Sequence, residues 1–369
     1  MVHMEKANTN NDMVVPPDRL RLKDVMVRYG SFLALDNINL VIRPGEFLSL
    51  LGPSGSGKST ILNVINGAAQ PDAGSVLIDG RDVTDVPARD RGLGMVFQNY
   101  ALLPHMNVFD NIAFPLRVRK WPADRIRHAV ADILRRMGLE GFAHRKPREL
   151  SGGQQQRVGI ARCLVYSPSI ILMDEPLGAL DKNMREQMQD EIKTLHHATG
   201  ATFLYVTHDQ EEALNLSDRI CLMNRGRIEQ IGSPQEMYFR PVSEFAATFL
   251  GESNILSGCL AGKDLFQSDC GLSIHVEGRP DIAVGGAARL LLRPEHIMCV
   301  TPSADMPNRF VFIVENVNFV GGFIRVTVRG RGGGRLQFKA RAHNDYANLQ
   351  VDSEIHLGWL PSDTVLLPA

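Results

Sequence analysis

The sequence predicts an α/β domain organised on a mostly parallel sheet, followed by a small all-β domain, and three observations carry that prediction. First, the runs "EFLSLLG", "SIILMDEP", "ATFLYVTHD" and "DRICLMN" are continuously apolar and bounded by turn or charged residues, as strands are when both faces of a sheet are covered. Second, residues 100–148 lack that texture. There Ile126, Val130, Ile133, Leu134 and Met137 recur at helical spacing with Gly138 as a stop, so a helical subdomain is expected inside the α/β core. Third, beyond Gly251 the segments "FIRVTVRG" and "LQFKARA" alternate apolar with polar side chains around "GRGGG", a hairpin pattern, and "EIHLGWL" is a further period-two run. With no good helix pattern in that region, a sandwich or barrel is expected. These changes of texture place an N-terminal tail at 1–18, the α/β domain at 19–250 with its helical part at about 99–160, and the β domain at 251–369.

Composition narrows the function classes. A chain of 369 residues with 44% hydrophobic side chains has material for two or three domains with real cores. Lys+Arg 40 against Asp+Glu 41 leaves a formal net charge of -1, so no overall field draws it to nucleic acid or anionic lipid. The basic blocks "VRGRGG" and "FKARA" read as a solvated strand face rather than an RNA platform. The five cysteines, Cys163, Cys221, Cys259, Cys270 and Cys299, form no Cys-x-x-Cys pair. With no His clusters at ligand spacing either, neither a disulfide framework nor a zinc site is suggested, and a reducing cytosol is expected. The opening "MVHMEKANTNNDMVVPPDRL" lacks the charged start and apolar stretch of a secretory signal and reads as a disordered tail. No apolar run approaches the ~20 residues of a membrane helix, so any work at a membrane calls for another chain to span it.

The stretch "GPSGSGKST", residues 52–60, matches G-x-x-x-x-G-K-[ST] and directly follows the apolar "FLSLL", the strand context that gives the pattern its meaning. Its glycines (Gly52, Gly55, Gly57), with Pro53, Ser54 and Ser56 between them, let backbone N–H groups wrap phosphate oxygens. Lys58 bridges to the β- and γ-phosphates, Ser59 offers a hydroxyl to Mg²⁺ and Thr60 one toward the α-phosphate. A nucleoside triphosphate site is expected here.

Hydrolysis with magnesium also needs a carboxylate at a neighbouring strand end and a means of positioning water. "IILMDE" supplies both: Asp174 ends an apolar strand, where an unpaired charge is costly, and is expected to order the magnesium shell, with Glu175 as general base. The alternative is ordinary solvation of a strand end. His208, closing "FLYVTH", and Gln98, in "MVFQNYALLPHMNV", carry no assignment by themselves; a lone His after a strand is commonly a cap, and a loop Gln commonly faces water.

A second anion site is suggested by "LSGGQQQRVGIARCL", residues 150–164, where a Ser-Gly-Gly turn opens a helical run. Leu150, Ser151, Gly152, Gly153 and Gln154, lying between a phosphate loop and a strand ending in Asp-Glu, resemble the signature of the ATP-binding-cassette (ABC) ATPases, over about residues 21–250. That resemblance implies a RecA-like P-loop core with a helical subdomain. It also implies that the signature faces the γ-phosphate of ATP held by a second copy of the chain. One phosphate loop and one signature per chain then pair across a two-fold into two composite sites. It further implies that Tyr29, in "VRYG", stacks on adenine, Gln98 reaches magnesium and the attacking water, His208 contacts the γ-phosphate, and Asp181, in "LGALD", connects the two sites. Gly159 and Cys163 depart from the alanines usual in the family; Cys163 reads as a small hydrophobe in an amphipathic helix.

The apolar, aromatic-rich "NYALLPHMNVFDNIAFPL" falls where ABC transporters form the groove that receives a short helix of the membrane-spanning permease, although the same residues also suit packing of the helical subdomain. "LLRPEHI" and "VENVNFVGGFIRVTVRG" resemble the small OB-like β domain of the TOBE type appended to bacterial import ATPases. "QNYALLPHMNVFDNIAFPL" and "FLGESNILSG" look most like spermidine/putrescine importers, with iron(III), 2-aminoethylphosphonate and sugar importers as alternatives. The resemblance implies an ATP- and Mg²⁺-dependent translocase subunit, peripheral on the cytoplasmic side of the bacterial inner membrane. Its partners would be permease subunits and, through them, a periplasmic solute-binding protein, and no nucleic acid. A soluble ABC ATPase of translation or repair is disfavoured because such proteins usually carry two cassettes or a long coiled-coil insertion. A P-loop kinase would not need residues 150–154.

Overall fold

The computed structural model describes residues 18–97, 100–178, 181–278, 282–342 and 349–369. The tail expected at 1–18 therefore lies outside the described residues except for Asp18, and Gln98 lies outside them as well. The chain divides into two compact units, one ending at Ile228 and one beginning at Glu229.

The first unit opens with β1 (Leu20–Tyr29), β2 (Phe32–Ile42) and β3 (Phe47–Leu51), then α1 (Lys58–Asn66), β4 (Ala73–Ile78), β5 (Arg81–Asp82) and β6 (Gly94–Val96). Three helices follow: α2 (Val108–Val118), α3 (Ala123–Arg136) and α4 (Gly152–Leu164). Then come β7 (Ile170–Asp174), α5 (Lys182–Thr199), β8 (Thr202–Thr207), α6 (Gln210–Leu216) and β9 (Arg219–Asn224); β10 (Arg227–Gly232) carries the chain out of the unit.

The four apolar runs become β3, β7, β8 and β9, paired in parallel as β9-β3-β8-β7-β6. All five residues of β3 and all six of β8 are buried, the reason these strands read as unbroken hydrophobic stretches. The expected helical segment forms α3, which buries Ile126, Val130, Ile133 and Leu134, and Gly138 follows at φ 62. These side chains share one core with Phe47 and Tyr205 of the sheet and Val158 of α4.

A second sheet, β2-β1-β4-β5, is antiparallel and had no counterpart in the sequence reading. Its register slips repeatedly along β1, with Asp24 and Asn37 at φ 51 and 52. Such bulges interrupt the two-residue alternation by which a half-buried strand is recognised. Among the described residues no helix is long and apolar enough to cross a membrane.

After β10, the described residues of the second unit form two short helices, α7 (Pro234–Phe239) and α8 (Glu244–Phe249), and ten further strands. These are β11 (Asn254–Gly262), β12 (Leu265–Ser268), β13 (Ser273–His275), β14 (Ala287–Leu292), β15 (Met298–Cys299), β16 (Asn308–Val320), β17 (Phe323–Gly330), β18 (Arg335–Arg341), β19 (Glu354–Trp359) and β20 (Thr364–Pro368). They pair antiparallel in two five-stranded sheets, β13-β12-β11-β14-β20 and β15-β19-β16-β17-β18, around one core centred on Phe266, Phe312, Phe338 and Trp359. The arrangement is OB-like. The expected hairpin is β17–β18, closed by Gly330 donating to Gly334 O at 2.8 Å. Three of its basic side chains are ion-paired: Arg329 and Arg335 meet Glu315 at 3.1 and 2.8 Å, and Lys339 meets Glu252 at 3.4 Å.

The helices α7 and α8 pack within this second unit, although the change of texture in the sequence fell after residue 250. The cause is Arg293, 2% exposed, which donates to Tyr238 O, Ala247 O, Glu252 O and Ser253 Oγ. One buried guanidinium thereby satisfies the C-terminal carbonyls of both helices.

Candidate active site

The loop between β3 and α1 bends through Gly52, Gly55 and Gly57 at φ 155, 77 and 105. Gly57 is the N-cap of α1 and offers no side chain to the first helical N–H groups, which leaves that end of the helix as an anion-binding terminus. Lys58 is turned back across the loop, donating from Nζ to Gly52 O at 2.7 Å and Pro53 O at 3.0 Å. Burial pulls its pKa below the ordinary value, and the carboxylates Glu175 and Asp174 pull it back upward.

Opposite the loop, β7 delivers Asp174 and Glu175. Burial, with the neighbouring Glu175 charge, raises the Asp174 pKa while Lys58 lowers it. Glu175 stands at φ 44, an uncommon conformation for a non-glycine residue. It is held there by its N–H to Val206 O at 3.0 Å and by Gly178 N–H to its carbonyl at 3.2 Å. His208, one residue past β8, places Nδ1 3.2 Å from Glu175 Oε1. Behind it Thr207 Oγ1 donates to the buried Glu212 at 2.7 Å and accepts from Asp209 N at 3.0 Å, which fixes the start of the loop that carries the imidazole.

Lys58, Glu175 and His208 meet on one cavity of about 500 Å³, lined by Ser54–Thr60, Glu175, His208 and Tyr29, whereas Asp174 does not line it. Phe32 also lines it and went unrecognised in the sequence. Tyr29 and Phe32 are cross-strand partners at the β1–β2 turn and remain 54% and 62% exposed, so two aromatic rings project at the cavity mouth. The donor set fits a hard divalent cation. The Asp174 carboxylate and the Ser59 hydroxyl are oxygen ligands of the kind Mg²⁺ takes alongside nucleotide phosphates. Among the described residues no cluster of three or more His, Cys, Asp or Glu could hold a metal without such help.

The residues of the second motif do not line this cavity. Ser151 is the N-cap of α4: its hydroxyl accepts from Gln154 N at 3.3 Å, and its N–H donates to Gln154 Oε1 at 3.0 Å, a reciprocal capping box. Ser151 and Gly152 are exposed. Gly153 is buried against α5, where an added Cβ would stand 3.2 Å from Met184 Cε. Asp181 is the exposed N-cap of α5, accepting from Met184 N at 2.9 Å.

A separate groove of about 350 Å³ is bordered by Phe97, Phe114, Pro115, Arg162, Cys163 and Tyr166. Phe97 and Phe114 are 46% and 40% exposed. The loop ahead of α2 is ordered by Asn111, fully buried, whose amide accepts from Leu103 N and donates to Leu103 O, Met106 O and Asn107 O. Cys163 packs as a small buried side chain, its thiol donating to Met95 O at 2.9 Å and pushed up to about 11 by burial.

Residues 35–178 match the ABC transporter family, and residues 290–367 match the TOBE domain. The chain is 43% identical over 357 residues to a spermidine/putrescine import ATP-binding protein, PotA, of Nitratidesulfovibrio vulgaris, covering 95% of this chain and 97% of that one. It is 42% identical over 368 residues to the protein of the same name in Thermobifida fusca, covering 98% and 96%. Among solved structures, the dimeric bacterial ABC transporter cassette MJ0796 aligns with TM-score 0.52 and 38% identity over 58% of this chain and 98% of that one. CbiO1 of Clostridium perfringens, part of the ABC transporter complex cbiONQ, aligns with TM-score 0.55 and 29% identity over 60% and 90%. With relatives at this identity matched from end to end, the chain belongs to the ATP-binding proteins of the ABC transporter family and carries a C-terminal TOBE domain.

Proposed function

We propose that this chain is the ATP-hydrolysing subunit of a bacterial polyamine importer. Two copies close over two ATP molecules while separate permease subunits carry spermidine or putrescine across the membrane. The name shared by its relatives favours the solute class; iron(III), 2-aminoethylphosphonate and sugars are the alternatives. The observation that carries the reading is the separation of the two anion-binding ends within one chain. The phosphate loop, Glu175 and His208 share a cavity, whereas the N-terminus of α4 with Ser151 is exposed and outside it. A signature placed in that way acts on the nucleotide of a second copy, as the dimeric state of one solved relative favours.

In this reading Tyr29, with Phe32 beside it, takes the adenine ring. Gly52, Pro53, Ser54, Gly55, Ser56 and Gly57 cradle the phosphates through the backbone, Lys58 spans the β- and γ-phosphates, and Thr60 reaches the α-phosphate. Ser59, Asp174 and Gln98 hold Mg²⁺, which when bound neutralises charge on the phosphate oxygens. Glu175 takes the proton of the attacking water, a contribution of about 10²–10⁴-fold in rate. His208, anchored on Glu175, contacts the γ-phosphate. Ser151, Gly152, Gly153 and Gln154 close on the ATP of the partner copy, and Asp181 links the two sites. The groove beside Phe97 and Phe114 receives a short helix of the permease. The subunit is thus a translocase component, peripheral on the cytoplasmic side of the inner membrane, with a periplasmic solute-binding protein as its indirect partner.

The test is size-exclusion chromatography of the Glu175→Gln variant. With MgATP it is expected to elute as a dimer, and wild type with ADP as a monomer or loose pair. An elution volume of the variant unmoved by ATP, in the presence as well as the absence of the permease subunits, removes the composite-site reading.

A further inference from the structure

We propose that Arg162 is the positioning residue through which α4 sets the shape of the permease groove, an inference that rests on the importer reading above. Tyr100 and Ala101 are consecutive non-glycine residues at φ 55 and 45, a pairing that L side chains avoid because Cβ crowds the following carbonyl. They are held there from α4: Arg162 donates from Nη2 to Tyr100 O and from Nη1 to Ala101 O, each at 2.7 Å. In this left-handed turn the carbonyls of two adjacent residues converge on one planar guanidinium, and the fork rewards that geometry with two charge-assisted bonds.

The surroundings add to the clasp. Tyr100 N–H donates to Phe97 O at 2.9 Å. The side chain of Tyr100 is 8% exposed and lies against α4 at Gly159, where an added Cβ would stand 3.5 Å from Tyr100 Cβ. Ala101 and Arg162 both border the groove with Phe97 and Phe114. The helix that carries the clasp begins at the Ser151 cap and runs to Leu164, a rod of about 20 Å. One end of that rod bears the signature and the last turn bears Arg162, so a displacement of α4 by nucleotide on the partner copy moves the groove wall as one body.

The strain suggests the test, because glycine adopts positive φ at little cost. If Arg162 acts by holding the turn, a glycine at Ala101, an exposed position, makes the guanidinium dispensable. Binding of the full chain to its detergent-solubilised permease subunits is measured as Kd for wild type, Arg162→Lys and Arg162→Lys/Ala101→Gly, with the thermal midpoint of each as a fold control. Lysine brings a single ammonium in place of the fork, so Arg162→Lys is expected to weaken binding about tenfold, the loss of one charge-assisted bond. The double variant is expected to recover to within about twofold of wild type. An unchanged Kd in Arg162→Lys overturns the proposal, as does a weakened Kd that glycine leaves unrestored. The Glu175→Gln elution test is independent of these variants. Loss of that dimer removes the composite-site reading, whereas a failed glycine rescue with the dimer intact removes only the role given to Arg162.

Discussion

Substituting Gly57 by alanine tests the phosphate loop at its tightest point. The residue stands at φ 105, ψ 0, outside the region an L residue adopts freely, at a cost of about 1–3 kcal/mol. Its new Cβ would lie 2.8 Å from Leu35 Cδ2 and 3.0 Å from Ala34 O. The leucine end can turn aside, but the Ala34 carbonyl belongs to β2, whose neighbouring residue Leu35 is in register with Val27 of β1. Overpacking of this kind adds about 1–3 kcal/mol, for a total of about 2–6 kcal/mol. Gly55 provides the control: it has φ 77, and nothing lies within 4 Å of an added Cβ, so Gly55→Ala carries only a backbone cost of about 1–2 kcal/mol. Read as nucleotide affinity at about 1.4 kcal/mol per decade, Gly57→Ala weakens ATP binding about 30-fold or more and Gly55→Ala about tenfold. The assay is competition of MgATP against a fluorescent analogue, with the thermal midpoint measured alongside so that cost taken as lost stability is counted. Equal effects in the two variants, or a larger one at Gly55, would refute the argument that contacts with β2 hold the loop in shape.

Lys58→Ala should abolish ATP turnover measured as phosphate release, and full activity in that variant would show the cradle to be elsewhere. Asp174 has a raised carboxyl pKa, so its contribution to stability is present below the unfolded value near 3.8 and is lost as pH rises through the folded value. Asp174→Asn is therefore expected to raise the thermal midpoint at pH 7 in metal- and nucleotide-free buffer, with the gain shrinking as pH falls toward 3.8. A midpoint lowered at pH 7 would contradict this. Arg293→Ala removes the donor to the buried Ala247 O and to the part-buried Glu252 O and Tyr238 O at once. It should cost the second unit about 1–3 kcal/mol, read by urea unfolding through the buried Trp359 in a Trp121→Phe background. A loss below about 1 kcal/mol, the net worth of one ordinary hydrogen bond, would show that α7 and α8 are held by other contacts.

Much of the molecule is legible locally because its signals sit within a few residues of one another. Strand β3, the glycines that follow it and the lysine that opens α1 occupy one short stretch, and an L side chain could not follow the loop where Gly52 and Gly57 stand. The alternation around "GRGGG" likewise marks β17 and β18 with their turn. The antiparallel sheet of β1, β2, β4 and β5 was hidden because its bulges break the period. Phe32 was hidden because its role depends on the register that sets it across from Tyr29.

By itself, the order of residues determined the parallel sheet, the phosphate loop, the helical insert and the all-β tail, since each is written in backbone preference and hydrophobic period over one short segment. Only the tertiary structure decided that His208 rests on Glu175, that Arg162 clasps the turn at Tyr100 and Ala101, and that Arg293 gathers α7 and α8 into the second unit. In these cases the partners are far apart in the chain, or each is satisfied by many alternatives. The choice among them falls to the packing that brings particular side chains within hydrogen-bonding distance.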